Sequence, residues 1–195
     1  MWDERYARPE YVYGTSPNDF LVEQADRLAP GTRVLSLGEG EGRNAAFLAG
    51  RGMSVVAIDS SSVGLEKARA LAKKQGKDIV TICADLASAE FRPDLGAVVN
   101  VFCHLPSVLR RAVHRRAVAA LAPGGIVIVE LYRPEQLRFG TGGPKDEDLL
   151  ATLAGLREDF EGCEELVGRE VERDVVEGTF HTGRAAVVQL VARRC

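Results

Sequence analysis

The sequence has no long apolar run, no strong excess of either charge and no closely spaced cysteine pair. No hydrophobic stretch approaches the roughly 18 residues that a membrane-spanning helix needs. The 25 Lys and Arg residues nearly balance the 28 Asp and Glu residues, which leaves a net charge of −3. This balance provides no overall positive potential for a nucleic acid or an anionic membrane. We therefore expect neither of these as a partner.

The four cysteines, Cys83, Cys103, Cys163 and Cys195, never occur at CxxC spacing. We therefore expect no metal site and no disulfide framework, but three thiols buried beside apolar runs and a fourth near the C-terminus. Residues 1–6 are charged and aromatic, and they lack the apolar core of a secretory signal. Together these absences favour a cytoplasmic protein.

What the chain does contain is an alternation of short apolar strands and amphipathic helices. Runs rich in β-branched residues predict strands at residues 33–37, 54–58, 78–83, 97–102 and 126–131. Helical patterns predict helices at residues 17–29, 44–49, 62–75, 108–121 and 146–160. Residues 164–177 and 182–191 follow as two strands without a helix between them, which indicates an antiparallel hairpin. The fold class is therefore α/β, with a doubly wound, mostly parallel, seven-stranded Rossmann-like sheet and a C-terminal hairpin.

A glycine-rich loop follows the first predicted strand. Gly38, Gly40 and Gly42 leave the backbone free to bend and to approach a ligand, and the loop opens a helix whose amides attract an anionic group. Asp59 ends the second strand, where an acid accepts hydrogen bonds from a ribose diol. Loop and acid together predict a nucleoside-bearing ligand. A tight turn and a helix-capping acid are the structural alternatives.

Two nucleoside cofactors suit such a loop. In the register that begins at Gly38, the sixth position is Arg43, where the dinucleotide fingerprint requires Gly or Ala. A bulky cation there spoils close packing of the helix on the strand. This disfavours an NAD-dependent oxidoreductase, which we keep as an alternative.

Several segments in the expected order resemble the class I S-adenosylmethionine (SAM)-dependent methyltransferases. They are residues 34–44 for the first motif, 57–61 for the second, 83–86 for the third, 121–125 before the fifth strand, and the terminal hairpin. Residues 2–6 and 11–21 are similar to the small tellurite-resistance and thiopurine-type members. The resemblance implies a single methyltransferase domain over residues 1–195, with an N-terminal lid or helix segment at 1–30 and the terminal hairpin at 163–195.

The resemblance also implies SAM as the cofactor and assigns residues to it. Asp59 would hold the ribose hydroxyls, and Asp85 would receive the adenine amino group. Tyr13 would lie near the methionine carboxylate if the N-terminal segment folds over the cofactor, and simple packing of this segment on the sheet is the alternative. The implied cofactor-binding residues are Tyr13, Gly38, Glu39, Gly40, Gly42, Asp59, Ser60, Asp85, Leu86 and Phe102.

Ser36 departs from the family pattern. It stands where many members have an Asp or Glu that helps to bind the methionine ammonium. Glu39 and Glu41 are the two residues that would supply this charge from the loop. The departure leaves a second alternative, a non-catalytic SAM-binding regulator.

The substrate side is assigned to residues that follow the fourth and fifth strands, because ligands in doubly wound sheets lie beyond the carboxyl ends of the strands. His104 is the candidate general base and substrate ligand, and a structural histidine bonded to the backbone is its alternative. Arg133 is a candidate ligand for an oxyanion or carboxylate, with a surface salt bridge as the alternative. By resemblance, the reaction is methyl transfer to a small molecule such as a chalcogen oxyanion or a thiol.

Overall fold

The computed structural model describes residues 2–178 and 181–195, and a seven-stranded sheet lies at its centre. The strands are β1 (Arg33–Leu37), β2 (Ser54–Asp59), β3 (Val80–Cys83), β4 (Leu95–Val101), β5 (Leu121–Tyr132), β6 (Cys163–Glu177) and β7 (His181–Arg194). Their order in the sheet is β3-β2-β1-β4-β5-β7-β6. The first five strands pair in parallel, and β7 pairs antiparallel with both β5 and β6. The predicted fold class is confirmed.

Helices cover both faces of this sheet. They are α1 (Trp2–Tyr6), α2 (Asp19–Gln24), α3 (Arg43–Gly50), α4 (Ser62–Lys74), α5 (Ser107–Ala120) and α6 (Leu153–Asp159), with short 3-10 turns at Ala25–Arg27, Pro134–Arg138 and Glu147–Leu149. Neighbouring residues of β1 point to opposite faces. Val34 packs with Leu48 of α3 on one face, whereas Leu35 packs with Val113 of α5 on the other. Two hydrophobic layers therefore sandwich the sheet, as the near-continuous apolar strands predict.

Two predicted helices are shorter than their sequence patterns. The helix expected at 17–29 begins at Asp19, because the Asn18 side chain, rather than Ser16, caps it by accepting a hydrogen bond from the Leu21 amide. The helix expected at 146–160 is divided. Thr152 caps a new helix, α6, and the residues before it form a separate 3-10 turn. Asp146 caps that turn by accepting the Asp148 amide, so two capped elements replace one long helix.

The edge of the sheet corrects a further expectation. β3 has a strand neighbour on only one side, so most of its residues face solvent. Cys83, which we expected to be buried, is exposed there, whereas Cys103 and Cys163 are partly buried. All four cysteines are free thiols.

A buried polar network joins the N-terminal segment to the sheet and the hairpin. The Asn18 amide donates to Glu130 at 2.7 Å and to Glu177 at 2.8 Å. Each carboxylate also has an arginine partner: Arg173 pairs with Glu130, and Arg43 pairs with Glu177 at 2.6 Å. Buried charges of this kind are tolerated only when they are paired, and removing one partner typically costs about 3–5 kcal/mol. The network therefore fixes four distant segments relative to one another: the residues before α2, the start of α3, β5 and the hairpin.

Among the helices of the described residues, none combines the length and the apolar character needed to cross a membrane.

Gly42 shows how tightly the loop after β1 packs on α4. It has a φ of +90°, and a Cβ placed on it would lie 2.4 Å from Cα of Ala68. Gly31 has a similar φ of +86°, with no atom within 4 Å of such a Cβ. The two glycines differ in surroundings but hardly in backbone strain.

We expect Gly42→Ala to destabilise the protein more than Gly31→Ala. Both substitutions add left-handed backbone strain of about 1–2 kcal/mol, but only the first adds a collision with backbone, worth about 1–3 kcal/mol more. Urea unfolding of the two variants measures the difference. Equal losses would contradict the packing of α4 against the loop.

Candidate functional site

A cavity of about 470 Å³ lies beyond the carboxyl ends of the parallel strands. The glycine loop and Asp59 form one part of its wall, and residues 101–105 at the end of β4 form another. The N-terminal segment, residues 84–86, the loop at residues 142–144, Leu149 and His181 also line it. All ten predicted cofactor-binding residues line this one cavity: Tyr13, Gly38, Glu39, Gly40, Gly42, Asp59, Ser60, Asp85, Leu86 and Phe102.

The glycines of the loop make room chiefly for other parts of the protein. Gly38 and Gly40 have φ values of +58° and +61°, which favour glycine. A Cβ on Gly38 would lie 2.3 Å from Sγ of Cys103, and one on Gly40 would lie 2.6 Å from the hydroxyl of Tyr6. The sequence argument, that the missing Cβ atoms clear space for a ligand, is therefore incomplete. They also allow the residues after β4 and the N-terminal segment to close on the loop.

Asp59 holds the glycine loop against the end of β2. One carboxylate oxygen accepts the Gly40 amide at 2.8 Å, and the other accepts the Ser61 amide at 2.8 Å. Burial raises the pKa of Asp59, and these amides oppose the shift. A carboxylate oxygen accepts more than one hydrogen bond, so both oxygens keep capacity for a ligand in the cavity that they line.

Glu39 and Glu41 differ in their partners. The difference helps to decide which of them could replace the acid that many family members have at the position of Ser36. Glu41 pairs with Lys67 at 2.5 Å and accepts the Tyr13 amide at 3.2 Å. Glu39 forms no ion pair within the described residues; its carboxylate accepts the Ser36 hydroxyl and, at 2.8 Å, the Ala45 amide at the start of α3. Burial raises the pKa of Glu39, opposed by these hydrogen bonds. The carboxylate of Glu39 therefore lies beside Ser36, three residues after the position where the family has its acid.

One lysine fastens the N-terminal segment over the glycine loop. Nζ of Lys67 donates to the carbonyls of Tyr6 at 3.1 Å, Arg8 at 2.8 Å and Glu10 at 2.7 Å, besides pairing with Glu41. Tyr6 is buried and lies against Gly40. The sequence left two alternatives for this segment, packing on the sheet or folding over the cofactor site. In the structure the segment both packs its aromatic residues and lines the cavity.

Phe102 sits at the centre of a ring cluster after β4. Its φ of +53° lies in the left-handed region that non-glycine residues seldom adopt. Its ring lies 4.5 Å from the ring of Tyr132, 5.1 Å from that of His181 and 6.1 Å from that of His104, measured between centroids. Strained backbone of this kind concentrates at functional sites.

His104 is bonded to the backbone, as its structural alternative predicts, and its role as a general base stays a prediction. Its Nδ1 lies 3.0 Å from the carbonyl oxygen of Leu149, so the proton resides on Nδ1. Nε2 then carries a lone pair, is buried and has no hydrogen-bond partner in the described structure. Burial lowers the pKa of His104 to about 3. The side chain is therefore a neutral hydrogen-bond acceptor in the cavity wall.

Arg133 is not brought to the cavity lining, as far as the described residues show. Its guanidinium lies 3.2 Å from Glu135 and 3.4 Å from Glu170. This is the surface salt bridge that the sequence left as the alternative. The assignment of Arg133 to substrate stays a prediction without support from its position.

His181 lines the cavity, and sequence reasoning missed it. It begins β7, next to the turn of the hairpin, far along the chain from every motif. Its pairing opposite Glu177 in the hairpin follows from the register, and only the strand order shows that the hairpin reaches the cavity. In the described part of the chain, no group of His, Cys, Asp and Glu could hold a metal ion.

Comparisons with known proteins agree with this geometry. Residues 34–125, which include the glycine loop and Asp59, match the family model of a methyltransferase domain. A 130-residue segment is 28% identical to the 2-heptyl-1-hydroxyquinolin-4(1H)-one methyltransferase of Mycobacteroides abscessus; the match covers 65% of this chain and 57% of that relative. These matches support the resemblance to methyltransferases over residues 34–125, and the extent of the domain over residues 1–195 stays a prediction.

Solved structures extend the likeness to the whole fold. TehB from Haemophilus influenzae superimposes with a TM-score of 0.76 at 17% identity, over 100% of this chain and 66% of that one. The N-methyltransferase NodS from Bradyrhizobium japonicum, in complex with S-adenosyl-L-homocysteine, gives 0.73 at 15% identity, over 99% and 96%. At these identities the likeness establishes the fold and leaves the acceptor open.

We expect the imidazole of His104 to stay neutral, with its proton on Nδ1, from pH 8 to about pH 5. Below about pH 6.5 the unfolded chain binds a proton that folded His104 rejects, so His104 lowers the free energy of unfolding by about 1.4 kcal/mol per pH unit there. Nitrogen NMR reports the protonation state. Urea unfolding of His104→Gln should show a shallower loss of stability on acidification. A folded-state titration near pH 6.5 would contradict this.

Proposed function

We propose that the protein transfers a methyl group from SAM to a small-molecule acceptor. The observation that carries the proposal is the buried Asp59 carboxylate, which lines the cavity and is hydrogen-bonded to the amide of Gly40. A family model of methyltransferase domains matches the same segment. Bound SAM would supply an activated methyl group, and the chain would orient the two reactants.

The cavity wall offers suitable groups for each part of the cofactor. Asp59 would accept hydrogen bonds from the ribose diol, and Asp85, with Leu86 beside it, would hold the adenine. Asp85 is exposed, and one of its oxygens accepts the Ala87 amide at 2.8 Å, so its other oxygen remains for an adenine amino group. Phe102 and Tyr13 would enclose the methionine end.

Glu39 is the residue that we assign to the methionine ammonium. Glu41 is neutralised by Lys67, whereas Glu39 has no cationic side chain within ion-pair distance in the described residues. Its hydrogen bond from Ser36 places it beside the position of the family's acid. On this proposal Ser36 and Glu39 together replace that acid, and Ser36 is no reason to assign a non-catalytic role.

A thiol or hydroxyl acceptor fits the cavity better than a chalcogen oxyanion, the other acceptor expected from the sequence. The acceptor end is walled by Phe102, His104 and His181, which are aromatic or neutral. Two arginines belong to the described lining of the cavity. Arg43 is paired with Glu177 at 2.6 Å, and Arg5 donates to the Tyr13 hydroxyl at 2.8 Å and lies over the ring of Trp2. The related enzyme from Mycobacteroides abscessus is named for a hydroxyl-bearing heteroaromatic, which supports the same class.

Removal of the Asp59 carboxylate tests the cofactor site. We expect Asp59→Ala to weaken binding of S-adenosyl-L-homocysteine by about 10- to 150-fold, because a ribose diol would lose a charged acceptor worth about 1.5–3 kcal/mol. Isothermal titration calorimetry measures the change. Asp26→Ala is the matched control, since Asp26 pairs with Arg51 on the surface and lies outside the described lining of the cavity.

Calorimetry with NAD in place of S-adenosyl-L-homocysteine tests the oxidoreductase alternative. We expect no heat of binding from NAD. Tight NAD binding that Asp59→Ala abolishes would overturn the proposed cofactor.

A panel of acceptors tests the reaction itself. Incubation with SAM and 2-naphthol, 4-nitrothiophenol, 1-hydroxyquinolin-4(1H)-one or selenite, followed by mass spectrometry, should show methylation of hydroxyl or thiol compounds and little of selenite. Methylation of selenite alone would favour the oxyanion. Tight SAM binding with no methylated product from any acceptor would favour the regulator.

A further inference from the structure

A histidine that carries none of the roles assigned so far lies at the acceptor end of the cavity. His181 is 9% exposed and lines the cavity. Rings surround it: Tyr13 at 4.6 Å, Phe102 at 5.1 Å and Tyr132 at 5.4 Å between centroids. Tyr13 and Phe102 also line the cavity, so a flat aromatic acceptor would find stacking partners there.

The carboxylate of Glu177 faces the imidazole of His181 across the hairpin. The two residues are register partners in the antiparallel pair of β6 and β7, so their side chains share one face of the sheet. Nδ1 of His181 lies 3.8 Å from Oε2 of Glu177. That nitrogen is buried and forms no hydrogen bond within the described residues. The carboxylate of Glu177 is therefore the acceptor that a small rotation of the ring would bring within reach.

The charge on Glu177 is itself firmly held. Arg43 pairs with it at 2.6 Å, and Asn18 donates to its other oxygen at 2.8 Å. Burial alone would raise the pKa of Glu177, but His181, Arg43 and Asn18 hold it at about 2. A carboxylate that stays ionised beside an imidazole orients the ring and stabilises its protonated form.

His104 has no comparable partner. Its Nδ1 faces a neutral backbone carbonyl, that of Leu149, and its pKa is lowered to about 3 by burial. Burial also lowers the pKa of His181, but Glu177 opposes that shift. Of the two histidines in the cavity wall, His181 is thus the one beside a group that favours proton uptake.

We propose that His181 is the general base of the reaction, that Glu177 positions it, and that the acceptor is a flat aromatic hydroxyl or thiol that enters the cavity protonated. This inference rests on the proposed function. With Nδ1 directed to Glu177, the ring edge that carries Nε2 is left for the cavity.

The proton balance of the step is simple. The acceptor oxygen or sulfur forms a bond to the methyl carbon, and the bond from that carbon to the sulfonium sulfur breaks with its electron pair on sulfur. The acceptor proton passes to Nε2 of His181, which later releases it to water. His104 remains neutral, and its Nε2 lone pair would accept a hydrogen bond that positions the methyl acceptor.

Two probe acceptors show whether His181 acts as a general base or only lines the cavity. 2-Naphthol is protonated at neutral pH, whereas 4-nitrothiophenol is already ionised and needs no base. In single-turnover assays we expect His181→Gln to slow methylation of 2-naphthol by at least about 100-fold and that of 4-nitrothiophenol by less than about threefold. Arg184→Gln, an exposed change on the same strand, should affect neither. Equal losses with both acceptors would overturn the assignment.

A second measurement needs no turnover. Nitrogen NMR of the wild-type protein should show the proton of neutral His181 on Nδ1, and Glu177→Gln should lower the pKa of His181 by at least about one unit. A proton on Nε2, or an unchanged pKa in folded Glu177→Gln, would overturn the role of the pair. If Glu177→Gln fails to fold, the assays of His181→Gln with the two probe acceptors still test the proposal. That variant leaves the ion pairs of Glu177 with arginine intact.

The two measurements also separate this inference from the proposed function. Loss of SAM binding in calorimetry would overturn the proposed function, while the NMR result for His181 and Glu177 would stand by itself. Conversely, SAM binding and methyl transfer unaffected by His181→Gln would leave the proposed function intact and overturn only the base.

Discussion

The site depends on one constraint. Two carboxylates are buried in the sheet, and each must be paired with a positively charged side chain. Glu130 in β5 and Glu177 at the end of β6 are both bridged by the amide of Asn18. Neither charge tolerates the interior without its partners. Each partner comes from a different part of the chain, because Arg173 lies in the hairpin and Arg43 opens the helix after the glycine loop. Satisfying the two charges therefore assembles the cavity walls.

This assembly explains why chemistry is divided between the two halves of the sheet. The parallel half supplies the glycine loop and Asp59, the features expected of a nucleoside site. The antiparallel half supplies His181, and the shared carboxylate Glu177 also contacts Arg43 from the parallel half. A substitution of Glu177 thus alters a contact with Arg43 from the parallel half as well as the contact with His181.

The sequence predicted what depends on neighbours in the chain. The first strand was predicted at residues 33–37 and occurs there, because a short apolar run that ends at a glycine is a local signal. The start of α2 was predicted at residue 17 rather than at Asp19, because the capping residue Asn18 is held by Glu130 and Glu177, more than 100 residues away. His181 was missed for the same reason. Contacts between distant segments, rather than local patterns, decide these positions.

The ammonium of Lys67 has a consequence for the timing of ligand exchange. It has three protons to share among three backbone carbonyls and the carboxylate of Glu41. The N-terminal segment and the glycine loop therefore share the ammonium of Lys67. A movement of either one changes the hydrogen bonds that Lys67 makes to the other. For a ligand beneath Tyr6, parting of these contacts would open one route of exit. On that route the residence time would shorten as salt screens the partly exposed ammonium of Lys67.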